Sequence, residues 1–307
     1  MRVDVYLPLV MSVLFGLLAP QLARRLPPAR ATWLLSIGSV ILAASAAIAL
    51  ALLALTFLGQ LPGIASFGHW TVGALRRHDP VHRSVALAAL VAIPVLAALV
   101  VRATIRRTQA IVDAYRTCRR LPDQGTGLVV LSEPGITAYA VPGRPGRIVV
   151  SRELLTVLSP AQRRVVLAHE QAHLDRHHYR HVALVTVAAA LNPALFRLPR
   201  AVVFATERWA DEAAAAAIGN RAVAATALAR TRLLSGSRVP SPGCAMAAAA
   251  THVTARVQAL LAEPPRTRPV LTAIVIGIVV VAAFAVGDAS WDAHQLFELA
   301  QNVSYSR

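Results

Sequence analysis

Two histidines four residues apart, with a glutamate beside the first, form the most distinctive pattern in the chain. His169, Glu170 and His173 lie in the stretch HEQAH. On a helix, His169 and His173 project from one face about one turn apart, so their rings can hold one tetrahedral metal ion. Glu170 is rotated by roughly 100° from His169, which places its carboxylate beside the metal instead of on it. The pattern predicts a zinc peptidase with Glu170 as general base.

A catalytic zinc ion needs a third protein ligand, and the residues after His173 do not provide an obvious one. A metzincin site is excluded because Arg176 and Tyr179 stand where its glycine and histidine are required. Three histidines follow closely and remain alternatives: His177, His178 and His181. They continue the same helix or lie just past its end, where converging on the ion is difficult. We therefore interpret this group, with its neighbouring arginines, as a polar face near the membrane interface.

Glu207 is the preferred third ligand. It follows His173 by 34 residues, which is long enough for a second helix to cross the first. Asp211 is four residues further on, on the same helix face. A carboxylate there can accept a hydrogen bond from the free ring nitrogen of a ligand histidine, a second-shell role. The alternative for both residues is a solvated helix face.

The segment that must position these residues is predicted to be α+β. Three short apolar runs are expected as strands, and the last two are expected to form a hairpin: 127–131, 137–141 and 147–151. Ser159, Pro160 and Gln162 then form a helix start with a capping box, which leads into HEQAH. An apolar stretch over 182–196, interrupted by Asn192-Pro193, is expected to be a buried helix or one that dips into the membrane. The sequence leaves that choice open.

Composition indicates a membrane protein. Hydrophobic residues make up 56% of the chain and the mean hydropathy is +0.56, whereas soluble domains have about 45–50% apolar residues. Four uncharged runs are long enough to span a bilayer: about 5–23, 32–58, 84–101 and 269–287. Only Arg2 and Asp4 carry charge before the first run, and Arg24 and Arg25 follow it. A cleaved signal peptide has its positive charges before the apolar run, so we expect this run to be retained. Cys118 and Cys244 are interpreted as buried thiols.

The arginines set the expected orientation. The net charge of +16 is carried entirely by arginine, which does not by itself indicate nucleic-acid binding. Twenty-three of the 31 arginines lie between Arg102 and Arg268. The positive-inside rule therefore predicts that both termini are outside and that residues 104–267 are cytosolic, in the plasma membrane of a bacterium. The loop between the second and third runs disagrees mildly, since it carries Arg76, Arg77 and Arg83.

HEQAH, Asn192-Pro193 and the stretch from Glu207 to Asp211 together resemble the BlaR/MecR family of membrane zinc metallopeptidases. HtpX and the CAAX prenyl endopeptidases share the HExxH…ExxxD pattern. The resemblance implies a gluzincin with one Zn²⁺ per chain on His169, His173 and Glu207, and Glu170 as base. It also implies a partner, a BlaI/MecI-like winged-helix transcriptional repressor. A penicillin-binding sensor domain is not expected, because about 20 residues follow the last run and a Ser-x-x-Lys motif needs a lysine.

The predicted fold class is a mainly α-helical integral membrane protein with about four transmembrane helices and a cytosolic α+β zincin-like metallopeptidase domain containing a small β-sheet. The predicted domains are residues 1–103, 104–267 and 268–307. The predicted function is cleavage of a protein substrate at the cytoplasmic membrane face, as part of signalling. The lipid bilayer is a further predicted partner of the chain. Two alternatives remain: a quality-control protease for membrane proteins, and a zinc-binding receptor without catalysis. The intact base, Glu170, argues against the receptor.

Overall fold

The computed structural model describes residues 4–78, 81–122, 125–132, 135–235 and 253–305. These residues are mostly helical. The helices are α1 (Leu7–Arg25), α2 (Pro28–Gly59), α3 (Pro62–Gly68), α4 (Val72–His78), α5 (Arg83–Arg120), α6 (Arg152–Val157), α7 (Pro160–Asp175), α8 (His178–Leu191), α9 (Leu198–Ile218), α10 (Arg221–Ser235), α11 (Val253–Leu261) and α12 (Pro269–Tyr305), with a 3-10 turn at Pro193–Leu195. The strands are β1 (Leu128–Leu131), β2 (Ala138–Val141) and β3 (Arg147–Ser151).

Four helices of the described chain are long and apolar enough to cross a membrane: α1, α2, α5 and α12. They coincide with the four predicted runs. α5 continues to Arg120, so it extends about 28 Å beyond the predicted end of the third span at residue 101. α12 likewise continues past the expected end of the fourth span, to Tyr305. The four predicted helices are therefore present, and three of them, α2, α5 and α12, are longer than a bilayer requires.

The small β-sheet has the strand order β1-β3-β2. β3 is the central strand, because it pairs in parallel with β1 and antiparallel with β2. The predicted hairpin between β2 and β3 is thus confirmed, with Val141 opposite Arg147. Every residue of β3 is buried, whereas β2 lies at an edge of the sheet. Among the strands that the structure describes, β2 pairs on one side only.

The start of α7 forms as the sequence predicts. The backbone N–H of Gln162 donates to the Ser159 hydroxyl, and the Gln162 side chain accepts from the Ser159 N–H. These two bonds satisfy orphan donors at the helix start and define where the helix begins. α7 ends at Asp175, and His177 then takes a left-handed conformation with φ of 49°. After that turn α8 begins at His178, three residues after the end of α7.

The core joins α8 and α9 to the long apolar helices. Val185 and Ala188 of α8 and Val202 of α9 are buried in one cluster with Phe15 of α1 and Val275 of α12. Apolar residues of α2, including Leu35 and Leu42, complete this cluster. Helix α8 packs against α2 and α5, and α9 packs against α1 and α2, whereas α12 joins this cluster through α1 and α2. Cys118 is a buried free thiol, as expected, and Cys244 lies outside the described residues.

Candidate metal centre

Three predicted ligands converge between α7 and α9. The Nε2 atoms of His169 and His173 are 3.1 Å apart, as expected for histidines one helical turn apart. Glu207, from α9, presents Oε2 at 3.7 Å from His169 Nε2 and Oε1 at 3.5 Å from His173 Nε2. The three side chains are only 15–20% exposed. The crossing of two helices that the spacing predicted therefore brings His169, His173 and Glu207 together.

The donor set fits a zinc ion. Zinc binds imidazole nitrogen and carboxylate oxygen at about 2.0–2.2 Å, so tetrahedral geometry separates its donors by about 3.3–3.5 Å. The three measured separations are 3.1, 3.5 and 3.7 Å. Two neutral nitrogens and one carboxylate are also a donor set found in catalytic zinc sites. Together with the partial exposure of all three residues, this leaves room for a fourth, open position.

A layer of charged residues orients the His169 ring and the Glu207 carboxylate. Asp211 Oδ1 lies 3.0 Å from His169 Nδ1, where it accepts the ring hydrogen bond that the sequence predicted. Asp211 in turn accepts two hydrogen bonds from Arg256, each 2.7 Å long. A third contact of 2.7 Å joins Arg256 Nη1 to Glu207 Oε2. The Arg256 guanidinium, 5% exposed, therefore fixes the carboxylates of Asp211 and Glu207.

Sequence reasoning missed Arg256. It lies 45 residues after Asp211, on α11, and belongs to no spacing pattern shared with HEQAH. A weaker signal was present, because Arg256 shares one helix face with Leu260, four residues later, and both are buried. An arginine on an otherwise apolar helix face requires a buried anionic partner. The sequence did not identify Glu207 and Asp211 as that partner.

His178 and His181 are buried, so the prediction that all residues after His173 form a polar face is wrong for these two. His178 Nδ1 lies 2.9 Å from His173 Nδ1, on the side of the ring away from Glu207. His181 Nδ1 lies 3.2 Å from the Ser36 hydroxyl of α2. The neighbouring Arg176, His177 and Arg180 are exposed as expected. His178 thus acts on the site through His173 and is not placed as a metal ligand.

The pKa values of His169 and His173 shift in opposite directions. Burial lowers the pKa of His169, but its hydrogen bonds to Asp211 and Glu207 outweigh this and raise the pKa to about 10. Burial lowers the pKa of His173 to about 4. Glu207 stays ionised, because Arg256 and His173 hold its pKa well below the usual range despite burial. Without metal, the site therefore holds one cationic imidazole, one neutral imidazole and two carboxylates.

Glu170 differs from the other two carboxylates. Burial raises its pKa to about 7, and the charge of His169 opposes that shift without cancelling it. The Glu170 carboxylate also accepts a hydrogen bond from the backbone N–H of Ala140, on the edge strand β2. A carboxylate with a pKa near neutrality can both take and return a proton. The predicted general base therefore has a pKa suited to that role and contacts the open edge of the sheet.

A family model matches part of the chain. Residues 102–239 match the family model described as Peptidase family M48, and this segment includes His169, Glu170, His173 and Glu207. Searches of curated proteins and of solved structures give no match. The match supports metallopeptidase activity for this segment. The predicted enzyme class is confirmed at this level, whereas the BlaR/MecR subtype stays a prediction.

Proposed function

We propose that the protein is a zinc-dependent endopeptidase that cleaves a protein substrate at the cytoplasmic face of the membrane. The observation that carries the proposal is the site itself: three donors at zinc spacing, with Glu170 beside them. Asp211 and Arg256 hold two of those donors in place, a degree of preorganisation that catalysis requires. The M48 match over the same residues supports hydrolysis of peptide bonds.

The side chains divide the work of hydrolysis. A zinc ion held by His169, His173 and Glu207 would supply a Lewis acid that acidifies water and polarises the scissile carbonyl. Glu170 takes a proton from the attacking water and returns it to the leaving amine, which its pKa of about 7 permits. Asp211 keeps the proton of His169 on Nδ1, so that Nε2 faces the metal.

The open edge of β2 supports an extended substrate. β2 pairs only with β3 among the described strands, and its Ala140 N–H points to Glu170. A peptide that adds to this edge would run past Glu170, with main-chain hydrogen bonds providing affinity that is independent of sequence. We therefore propose β-strand addition as the way in which substrate is aligned with the base.

For the biological role, we propose regulated cleavage in signalling, with a winged-helix repressor as partner. The support is the BlaR/MecR-like arrangement of four long apolar helices, HEQAH, Asn192-Pro193 and Glu207 to Asp211. A quality-control protease would use the same chemistry on many membrane proteins. A receptor without catalysis would not need Glu170, whose pKa is shifted toward neutrality at the position of a base.

Membrane and cytosolic proteomes of cells carrying wild type or Glu170→Gln distinguish these roles. New N-termini that appear only with wild type are expected, because glutamine cannot accept a proton from water. A single cleaved DNA-binding repressor supports signalling, and many cleaved membrane proteins support quality control. Identical proteomes, in cells where both variants retain zinc, would contradict the peptidase proposal and favour the receptor.

A further inference from the structure

We infer that the segment 182–204, here called the α8–α9 hairpin, is embedded in the membrane as a re-entrant element. It comprises most of α8, the 3-10 turn and the first turns of α9. It enters and leaves on the side of the metal centre, and its tip reaches toward the far side of the bilayer. The inference concerns a lipid-contacting surface beyond the four long apolar helices and does not depend on peptidase activity.

The tip of the hairpin contacts the middle and the early part of α1. Asn192 Nδ2 donates to the Ser12 hydroxyl at 2.8 Å. A Cβ added to Gly16 would overlap with the carbonyl oxygen of Ala194, so the two backbones touch there. α1 has 19 residues and is about 28 Å long, close to the thickness of the hydrocarbon core. Ser12 lies about 20 Å from its end at Arg25, which places the tip well inside that layer.

The other end of the hairpin is fixed at the last turn of α1. Arg208 Nη1 donates to the carbonyl oxygens of Ala23, Arg24 and Leu26, at 2.7, 3.0 and 3.3 Å. These carbonyls are the unsatisfied acceptors at a helix C-terminus, and a cation there is favourable. Glu207 is the neighbouring residue, so the metal centre lies about one side-chain length from the end of α1. α9 thus leaves the bilayer at the level of the site.

A second apolar helix locates the tip independently. Pro193 lines a crevice together with residues of the apolar part of α5, among them Leu87, Val91 and Val95. These α5 residues are largely exposed in the isolated chain, as a lipid-facing surface should be. The tip is therefore held between α1 and α5 at the depth of the hydrocarbon core, and the two contacts agree.

The chemistry of the hairpin suits this environment. Residues 182–196 carry no charge. The polar side chains have internal partners: Asn192 Oδ1 accepts from the Ala194 N–H, and Thr186 donates to the Val182 carbonyl at 2.6 Å. Inside a bilayer such internal pairing is obligatory. The large exposed side chains are apolar, Leu184 and Phe196.

The arginines that follow the tip are compatible with the inferred depth. Arg197 and Arg200 are exposed, and the Arg197 guanidinium lies 5.3 Å from the ring centroid of Phe196. The tip is about 8 Å from the start of α1 at Leu7, measured along that helix from Ser12. An arginine side chain can cover that distance and place its charge at the far interface while its stem remains among apolar groups.

Spin labels on the full chain, reconstituted in lipid vesicles, test the inference. Single cysteines replace Leu184, Val280 and Leu233 in a background in which Cys118 and Cys244 are alanine. Val280 is an exposed residue of the membrane helix α12, and Leu233 is an exposed residue of α10. Collisions with oxygen report lipid, and collisions with a water-soluble nickel complex report solvent. Phe196→Cys provides a second position on the hairpin if Leu184→Cys does not fold.

The hairpin labels are expected to behave like the label at Val280, with collision rates dominated by oxygen and little access to nickel. If the label at Leu184, or its replacement at Phe196, showed the nickel access of the Leu233 label, the hairpin would be in water and the inference would be wrong.

Discussion

Arg256 provides a quantitative test of how the metal centre is held. Its guanidinium makes three contacts of 2.7 Å, two to Asp211 and one to Glu207, and its side chain is 5% exposed. Arg256→Met keeps much of the volume but leaves two buried carboxylates without their cation. Breaking a buried charge network by removing one partner costs about 3–5 kcal/mol. For a chain of 307 residues, that corresponds to a fall in Tm of roughly 5–8 °C.

The fall in Tm caused by Arg256→Met should depend on whether zinc is bound. Zinc would itself compensate the charge of Glu207, so the fall in Tm should be larger without metal than with zinc present. Thermal unfolding of the purified chain in detergent, with zinc and with a chelator, measures both values. Arg266→Met is the matched control, because Arg266 is 80% exposed and its pair with Glu263 contributes little. An unchanged Tm for metal-free Arg256→Met would refute the role assigned to this arginine.

Three further predictions concern other contacts. Asp211→Asn should weaken zinc binding by about 10–100-fold in a chelator competition, because His169 loses its ionised partner; unchanged affinity would contradict this. Gly16→Ala should destabilise the chain by about 1–3 kcal/mol through overlap with Ala194, whereas Gly277→Ala, with open space around it, should not. For the metal-free chain, the difference in unfolding free energy between Glu170→Gln and wild type (variant minus wild type) should increase as the pH rises from 4.5 to 7. Over that range only the folded wild type keeps the Glu170 proton, so its stability falls with pH; a difference independent of pH would show that the pKa is not raised.

Local patterns predicted the elements of the site well. The capping residues Ser159 and Gln162 located the start of α7 because an N-terminal cap is made by residues close in sequence. The strands were recognised from apolar runs between turn residues, and β3 has the predicted bounds. His169 and His173 were recognised because their spacing on a helix alone determines their separation. Glu207 and Asp211 followed from that helix and the resemblance together.

Long-range burial of polar groups was not predictable in the same way. Arg256 and His178 carry polar side chains whose partners come from other helices, so hydropathy alone assigns them to the surface. The position of the 182–196 stretch depended on contacts such as that of Asn192 with Ser12, 180 residues away. A single sequence contains the residues of such pairs but not the information that they meet.

Binding of one zinc ion by His169, His173 and Glu207 is the basis of the proposed function. Metal analysis and zinc X-ray absorption of the purified full chain test this claim for wild type, Glu170→Gln and His173→Ala. We expect about one zinc per chain in the first two, with two imidazole nitrogens in the coordination shell, and a marked loss in His173→Ala. Zinc retained equally in all three variants, or a sulfur-ligated zinc, would contradict the proposed centre.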